Sequence, residues 1–355
     1  MDDDFIGFKA NQKKIQYNSF IPSYFIEPLH YNLKMNNPIK RLNAELHSMY
    51  RFLAPRPGEH ELRTHAFNRI TKLLQSHYPN YHFSSFGSTS VDLFLSTSDI
   101  DIIITPNTKY EEEDSSYINK ILKEVKSILL SSGFVSSIIH LSKARVPIIK
   151  CVDRELGLKF DVSVDQQLGM EQVEFIQNEI HKRPVLKKFA LLLKYFLKKR
   201  MLTETKRGGL CSYAQFLMIL HFFEMHPVVP LIDPEEHLGV LFMDFFQFYG
   251  MDFPYRQTAI SIRDACYKYN ERGSILGIED PVDESNDVGA GCTNMNIVRD
   301  VFQHAYKIMA LVFREEINPN ESLLSLWMKY DFEEEKLRKL RLEKYRNMKK
   351  KIYIR

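Results

Sequence analysis

Phe86-Gly87-Ser88 is followed, after ten residues, by Asp99-Ile100-Asp101. Successive side chains on a strand point to opposite faces, so both aspartates are expected to point the same way, with Ile100 buried behind them. Two carboxylates held close together repel each other unless a cation lies between them, and Mg²⁺ prefers oxygen ligands. The pattern therefore predicts a divalent metal site on a strand.

Two further features fit such a site. Gly87 has no side chain where a backbone must approach a ligand, and Ser88 offers a hydroxyl and a backbone N–H, so this turn can cradle a triphosphate. A third carboxylate, Asp161, lies within Leu158–Val164, where apolar residues alternate with it. We expect Asp161 to complete a two-metal site and to help deprotonate an attacking hydroxyl.

Each signal also has an ordinary structural explanation. A Gly-Ser pair is commonplace, and an isolated D-x-D pair more often ends a strand in solvent. The joint spacing, with a third aspartate in a later apolar strand, favours the metal site. The nearby Asp153 and Asp165 are interpreted as surface residues, because neither follows the strand alternation of Asp161.

Strand and helix patterns alternate in the first half of the chain, and helical periods dominate the second. Strands are predicted at 100–104, 135–139, 146–152 and 158–164, and helices at 39–53, 59–76, 118–130, 185–200, 212–226 and 240–249. This order indicates a mixed α/β half followed by a helical half.

Length and composition are those of a protein with a packed interior. At 355 residues, with 44% hydrophobic and 26% charged residues, the chain exceeds the roughly 150 residues of one typical domain. A net charge of +3 says little about an anionic partner. The four cysteines are far apart, which excludes a redox dithiol and favours a reducing compartment. With no secretory signal and no apolar run near the ~20 residues that span a bilayer, we expect a soluble protein.

Positive charge is concentrated at the end of the chain. Between Lys336 and Arg355 there are ten basic residues and one acidic residue, Glu343. Such a segment suits phosphate groups. It is equally typical of a solvated helix with a targeting role, and both interpretations stay open.

The motifs together resemble a known family. Phe86-Gly87-Ser88 and Asp99-Ile100-Asp101, with Asp161 downstream, are similar to the signature of the DNA polymerase β-like nucleotidyltransferases. Three more segments narrow the resemblance to the Trf-type nuclear poly(A) polymerases, the catalytic subunits of TRAMP-like RNA surveillance complexes. They are Pro55-Arg56-Pro57 with the helix after it, Val146-Pro147-Ile148-Ile149-Lys150, and Ile278-Glu279-Asp280-Pro281 through Asn286-Asp287-Val288-Gly289. The similarity covers about residues 42–306.

The resemblance implies an α+β fold, with a polymerase β-like palm domain built on a mixed sheet and a helical central domain of the poly(A) polymerase-associated type. We expect an N-terminal arm at 1–35, a catalytic domain at 36–168, a helical domain at 169–326 with a nucleotide recognition loop at 278–291, and a basic tail at 327–355. The first helix of the catalytic domain is a candidate to pack on the helical domain.

The resemblance also implies an activity: template-independent addition of AMP from ATP to RNA 3′ ends, with two Mg²⁺ or Mn²⁺ ions held by Asp99, Asp101 and Asp161. The implied nucleotide contacts are Gly87, Ser88, Gly169, Lys194, Lys198, Ser212, Tyr213, Asn286 and Asp287. Without the family, Lys194 and Lys198 would mark a solvated helix face, and Tyr213 a core aromatic at a helix start. In the family they contact the triphosphate and stack on the base.

Base selection is expected from the loop at 278–291. Related terminal uridylyltransferases carry a histidine there, whereas this chain aligns Asn286, followed by Asp287. An amide can pair with the donor and acceptor edge of adenine, so ATP is favoured. Two departures from the family concern the nucleotide: Leu168-Gly169 stands where an Asn-Gly pair is usual, and Ala290 where relatives often carry Arg.

The sequence carries no recognisable RNA-binding module. We therefore expect partners, by resemblance a zinc-knuckle RNA-binding protein and an RNA helicase, a nuclear or nucleolar location, no membrane partner, and a role in marking RNAs for the exosome. Two alternatives stay open: a terminal uridylyltransferase, and a catalytically inactive scaffold. Inactive relatives usually lose one of the acids, and all three are present here.

Overall fold

The computed structural model describes residues 37–107, 115–144, 146–164, 167–271, 273–312, 322–328 and 330–353. The predicted N-terminal arm at 1–35 and Asp165 lie outside these residues. Within the described ranges, no helix combines the length and the apolar character that crossing a bilayer requires.

Two helices precede the main sheet: α1, Pro38–Leu53, and α2, Pro57–Gln75. The side-chain oxygen of Asn37 accepts two backbone N–H groups of the first turn of α1, which satisfies donors that a helix start leaves open. At the start of α2 the carboxylate of Glu59 accepts the backbone N–H of Arg56 at 2.9 Å. Sequence and capping therefore place the two helix starts.

The palm is a five-stranded mixed sheet. Its elements are β1 (Tyr81–Phe86), β2 (Ile100–Pro106), α3 (Ser115–Ser131), β3 (Val135–Leu141), β4 (Ile148–Asp153) and β5 (Lys159–Val164). The strand order is β1-β2-β5-β4-β3, in which β2 and β5 run parallel and the other neighbours antiparallel. Parallel pairing of β2 with β5 brings the segments with the predicted acids side by side.

One face of this sheet is covered by α2 and α3. Ile100, Ile102 and Ile104 of β2 are buried in the same core as Leu62 of α2 and Leu122 of α3. Residues at alternate positions along β2 and β5 therefore belong to the opposite face. That face carries the acids.

The second half is mainly helical. It contains α4 (Gln167–Lys182), α5 (Val185–Lys198), α6 (Ser212–Met225), α7 (Leu238–Gln247) and α8 (Met295–Val312). Phe189 of α5 stacks on Phe242 of α7, with ring centroids 3.8 Å apart and planes 6° from parallel. Leu42 and Leu46 of α1 are buried in this core, so α1 belongs structurally with the helices of the second half.

A small three-stranded sheet interrupts the helices. It consists of β6 (Thr258–Ser261), β7 (Cys266–Tyr269) and β8 (Gly277–Ile278), in the order β7-β6-β8. The sequence did not indicate it, because strands of four and two residues are too short to show a period. The sheet supports the loop at 278–291, since β8 leads directly into it.

The basic segment near the end of the chain forms α9, Phe332–Tyr353. One of its faces packs on the palm: Leu342 and Tyr345 are buried in the palm core, and Arg338 forms a buried ion pair with Glu59. One of the two interpretations of this segment was a solvated helix. That interpretation is wrong for the face of α9 that packs on the palm. The other face remains exposed.

Candidate active site

Asp101 and Asp161 are direct neighbours across the parallel pair β2 and β5. Both alternate with buried residues of their strands, so both lie on the face of the sheet away from α2 and α3. Asp99 immediately precedes β2, with its side chain 32% exposed. The predicted alternation thus places the acids on one face, with Asp99 at the strand's start.

Lys150 was not singled out from the sequence, yet it lies at the centre of this group. On β4 it pairs directly with Asp161 of β5. Its ammonium forms an ion pair with Asp161 and lies 3.7 Å from Asp99. The alternation of Lys150 with the buried Ile149 and Cys151 was the one sequence signal that could have marked it, since Asp161 alternates with buried residues in the same way.

Burial and mutual repulsion change the proton affinity of these acids. Burial, and then the charges of Asp161 and Asp99, raise the pKa of Asp101 to about 7, while Lys194 and Arg63 oppose the shift. Burial also raises the pKa of Asp161, against the opposing effect of its ion pair with Lys150. A cation beside these groups would relieve the repulsion.

The donor set matches hard divalent ions. Among the described residues, no three His, Cys, Asp or Glu side chains form a ready-made metal cluster as they stand. All three acids nevertheless supply carboxylate oxygens, the ligand type that Mg²⁺ and Mn²⁺ prefer. The Lys150 ammonium already places one positive charge against two of them, Asp99 and Asp161.

Gly87 brings the turn into contact with the acids. Its φ of +64° is one that residues with a Cβ rarely adopt, and a Cβ built here would lie 2.6 Å from Oδ2 of Asp101. The turn is closed by the backbone N–H of Leu93, which donates to the carbonyl of Ser88 at 2.9 Å. Glycine is therefore required both for the backbone and for the close approach.

A cleft of about 640 Å³, open to solvent, lies beside the turn and between the palm and the helices. Six of the predicted nucleotide contacts line it: Gly87, Ser88, Gly169, Lys194, Ser212 and Tyr213. Gln172 of α4 and Gln215 of α6 line it too, although nothing in their helical periods distinguished them. Lys198, Asn286 and Asp287 are not among its lining residues.

The two lysines predicted to contact the nucleotide are half-buried, and each ammonium group already donates a hydrogen bond to the protein. Lys194 donates to the carbonyl of Leu93 at 2.9 Å, and Lys198 to the hydroxyl of Thr97. Burial and the neighbouring Lys198 lower the pKa of Lys194 to about 8, and burial also lowers the pKa of Lys198. The pair therefore spans the junction between α5 and the palm loop that leads to Asp99.

Asp280 connects residues that line one wall of the cleft. It is fully buried, and its carboxylate accepts the hydroxyl of Tyr213, the amide of Gln172 and the amide of Asn286, each at 2.8 Å. Asp280 belongs to the motif Ile278-Glu279-Asp280-Pro281, and no role for it was predicted from the sequence. The structure shows that it connects α4, α6 and the loop at 278–291.

Asp287 is turned into its own loop. One oxygen accepts the backbone N–H groups of Ile278 and Gly289 at 3.0 Å each, and the other accepts the hydroxyl of Ser274 at 2.7 Å. In this structure its contacts brace the loop. Asn286 lies one residue earlier and reaches the cleft's wall through Asp280.

Asp153, interpreted from the sequence as a surface residue, is 1% exposed. It accepts the backbone N–H of Leu156 and lies 3.8 Å from the guanidinium of Arg69. The interpretation is wrong because Asp153 closes the turn between β4 and β5, a structural task that buries it.

Two family models match the chain. Residues 42–178 match the central palm domain of the mitochondrial-like poly(A) RNA polymerases, and residues 237–286 match the domain of the Cid1 family poly A polymerases. The chain spans only 37% to 50% of the length of the first curated relatives that it matches.

Relatives and solved structures agree with these models. Poly(A) RNA polymerase protein 2 of Saccharomyces cerevisiae is 30% identical over 76% of this chain and 47% of the relative. The inactive non-canonical poly(A) RNA polymerase protein Trf4-2 of Drosophila melanogaster is 26% identical over 82% of this chain and 77% of the relative. The polymerase core of TRAMP, an RNA surveillance complex, superposes with a TM-score of 0.74 and 28% identity, over 85% of this chain and 99% of that one. The predicted fold class and the predicted resemblance are confirmed.

Proposed function

We propose that this chain, a homologue of the Trf-type poly(A) polymerases with their palm and PAP-associated domains, adds AMP from ATP to RNA 3′ ends without a template. The single observation that carries the proposal is the direct pairing of Asp101 with Asp161 beside the Gly87 turn. Paired carboxylates can hold the ions of metal-assisted nucleotidyl transfer, and a glycine turn beside them can bind the phosphates.

The residues divide the reaction between them. Asp99, Asp101 and Asp161 would hold two Mg²⁺ or Mn²⁺ ions, which when bound supply charge stabilisation at the phosphates and a more acidic attacking hydroxyl. Ser88 and Lys194, which both line the cleft, would bind the triphosphate. Tyr213 is fixed by its bond to Asp280, so its ring is held ready to stack on a base.

The choice of base is proposed to rest on Asn286. Its amide nitrogen donates to Asp280, which fixes the orientation of the side chain and leaves the amide oxygen to accept from the exocyclic amine of adenine. In uridylyl transfer, the alternative within the same chemistry, this oxygen would accept from N3–H of uracil instead, so the nucleotide preference has to be measured.

Inactivity is the alternative of another class, because one relative is named an inactive polymerase. Against it, this chain keeps all three acids, Asp101 pairs with Asp161, and Gly87, which lines the cleft, lies against Asp101. Since the resemblance points to TRAMP-like assemblies, we further propose a nuclear or nucleolar role in marking RNAs for the exosome. A zinc-knuckle RNA-binding protein and an RNA helicase are the proposed partners.

The nucleotide preference tests the proposal. The purified chain is offered ATP, UTP, CTP or GTP separately, with Mg²⁺ or Mn²⁺ and an oligo(A) primer. We expect extension with ATP at least tenfold faster than with any other nucleotide. Faster extension with UTP would establish the uridylyltransferase instead, and no extension with any nucleotide, with or without a zinc-knuckle partner, would favour the inactive scaffold.

A further inference from the structure

Arg63 lies in the middle of α2, 3% exposed, directly behind the acids. Its guanidinium donates to the carbonyl of Ser98 at 2.9 Å, to the carbonyl of Asp99 at 2.6 Å and to the hydroxyl of Thr89 at 3.0 Å. It also lies over the ring of Phe94, 4.4 Å from the centroid. One side chain thus contacts both loops that form the site.

The loop before β2 needs such a contact. Asp99 lies outside the strand, and the ladder pairing of β2 begins at Ile100 with β5 and at Asp101 with β1. Ser98 and Asp99 therefore precede the paired part of β2, and the fork of an Arg can bind both of their carbonyls at fixed angles. Thr89, its third acceptor, directly follows Gly87-Ser88.

We propose that Arg63 is a positioning residue that fixes the loop carrying Asp99 to the turn carrying Gly87 and Ser88. It sets the separation between the carboxylate and the phosphate-binding turn without touching either substrate. This assignment rests on the proposed nucleotidyl transfer, since it concerns the same site.

Arg69 provides a matched control. It lies on the same helix, its guanidinium lies over Phe134 at 5.1 Å, and it forms an ion pair with Glu155. It therefore joins α2 to the turn between β4 and β5 in the way that Arg63 joins α2 to the catalytic loops. A purely structural Arg on this helix would behave like Arg69.

The test compares Arg63→Lys with Arg69→Lys in the full chain. A lysine keeps the charge but cannot bind three acceptors in the geometry of the guanidinium. We expect Arg63→Lys to lower kcat for ATP at least tenfold, with the KM for RNA changed less than threefold. Arg69→Lys should leave kcat within twofold of the wild type, and the two variants should have comparable Tm values.

Amide hydrogen exchange gives a second measurement that does not depend on activity. In Arg63→Lys, residues 95–99 and 88–93 should exchange at least tenfold faster, while the strands keep wild-type rates. Unchanged exchange in both loops, or a kcat equal to that of Arg69→Lys, would overturn the assignment. If the wild type itself extends no primer, the proposed function fails, and the exchange comparison still decides whether Arg63 holds the two loops.

Discussion

Among single residues, Gly87 leaves no room for a side chain beside the acids. A Cβ there would meet Oδ2 of Asp101 at 2.6 Å, whereas Gly133 has nearly the same φ, +67°, and no atom within 4 Å of a built Cβ. We expect Gly87→Ala and Gly133→Ala each to lose about 1 kcal/mol of stability through backbone strain. Only Gly87→Ala should also lose primer extension, by at least tenfold in kcat.

Thermal melts and initial rates of both variants check this. Equal losses of kcat in the two variants would show that the contact with Asp101 has no catalytic consequence.

Lys150 compensates the acids when no metal is bound, because its ammonium contacts Asp161 and lies 3.7 Å from Asp99. Lys150→Met removes that charge, so the carboxylates should depend more on a divalent ion. We expect a larger rise in Tm on adding Mg²⁺ to metal-free Lys150→Met than to the wild type. The exposed Lys143→Met serves as the control, and an identical Mg²⁺ response in all three proteins would refute the role.

At this scale the sequence was most informative about the acids. Strand alternation predicted that Asp99 and Asp101 point the same way and that Asp161 faces away from the apolar residues of its strand, because a period of two depends only on local backbone geometry. Lys150 and Arg63 escaped prediction because their roles depend on register and on a contact 36 residues away in the chain, between Arg63 and Asp99.

Among the elements, α9 has one face that packs on the palm and another that is exposed to solvent. Arg338 pairs with Glu59 inside the protein and donates to the carbonyls of Phe52 and Ala54 at 2.5 and 2.7 Å. Arg338→Ala would leave Glu59 buried without its partner, at a cost of about 3 kcal/mol. Chemical denaturation should show this loss, and Arg346→Ala on the exposed face should stay within about 0.5 kcal/mol. Similar values for both would contradict the packing.

The exposed face of α9 is where RNA binding should be tested. Truncating the chain after Tyr330 would remove the exposed basic residues together with the buried Arg338. Point variants therefore separate RNA binding from the structural role of Arg338. Replacing Lys344, Arg346 and Lys350 together by Gln should raise the KM for RNA and reduce the slope of log K against log salt by about 0.7 per lost phosphate contact. The same charge change at Lys120, Lys123 and Lys143 of the palm is the control. An unchanged slope for the α9 triple variant would exclude the role.

His221 of α6 makes stability depend on pH. Burial lowers its pKa from 6.5 to about 4, and its Nδ1 lies 3.1 Å from the hydroxyl of Tyr249. Between these pH values the unfolded chain binds a proton that the folded chain does not, so stability falls as the pH drops from 6.5 towards 4. Over this pH range, we expect the free energy of unfolding of His221→Gln to fall by roughly 1–3 kcal/mol less than that of the wild type. Parallel stability curves for variant and wild type over this range would contradict the assignment.

In the whole molecule, the site is assembled from segments that are far apart in sequence. Asp280 accepts a hydrogen bond from Gln172, 108 residues away, and from Tyr213, 67 residues away. Periodicity predicted the helix that carries Tyr213 but not the helix that carries Gln172. Their convergence on Asp280 depends on how the helices pack. The small sheet β7-β6-β8 was missed for a related reason, since its short strands are stabilised by the surrounding helices and loops.

Asp101→Asn tests the central claim most directly. If Asp101 serves catalysis, its replacement should lower primer extension with ATP by roughly 10²–10⁴-fold. Without metal, at pH 8, the Tm should be equal or higher, because the substitution removes a buried charge that Asp161 and Asp99 repel. Substantial extension by a folded Asp101→Asn protein, or a drop in activity explained by a drop in Tm, would contradict the assignment of these carboxylates to nucleotidyl transfer.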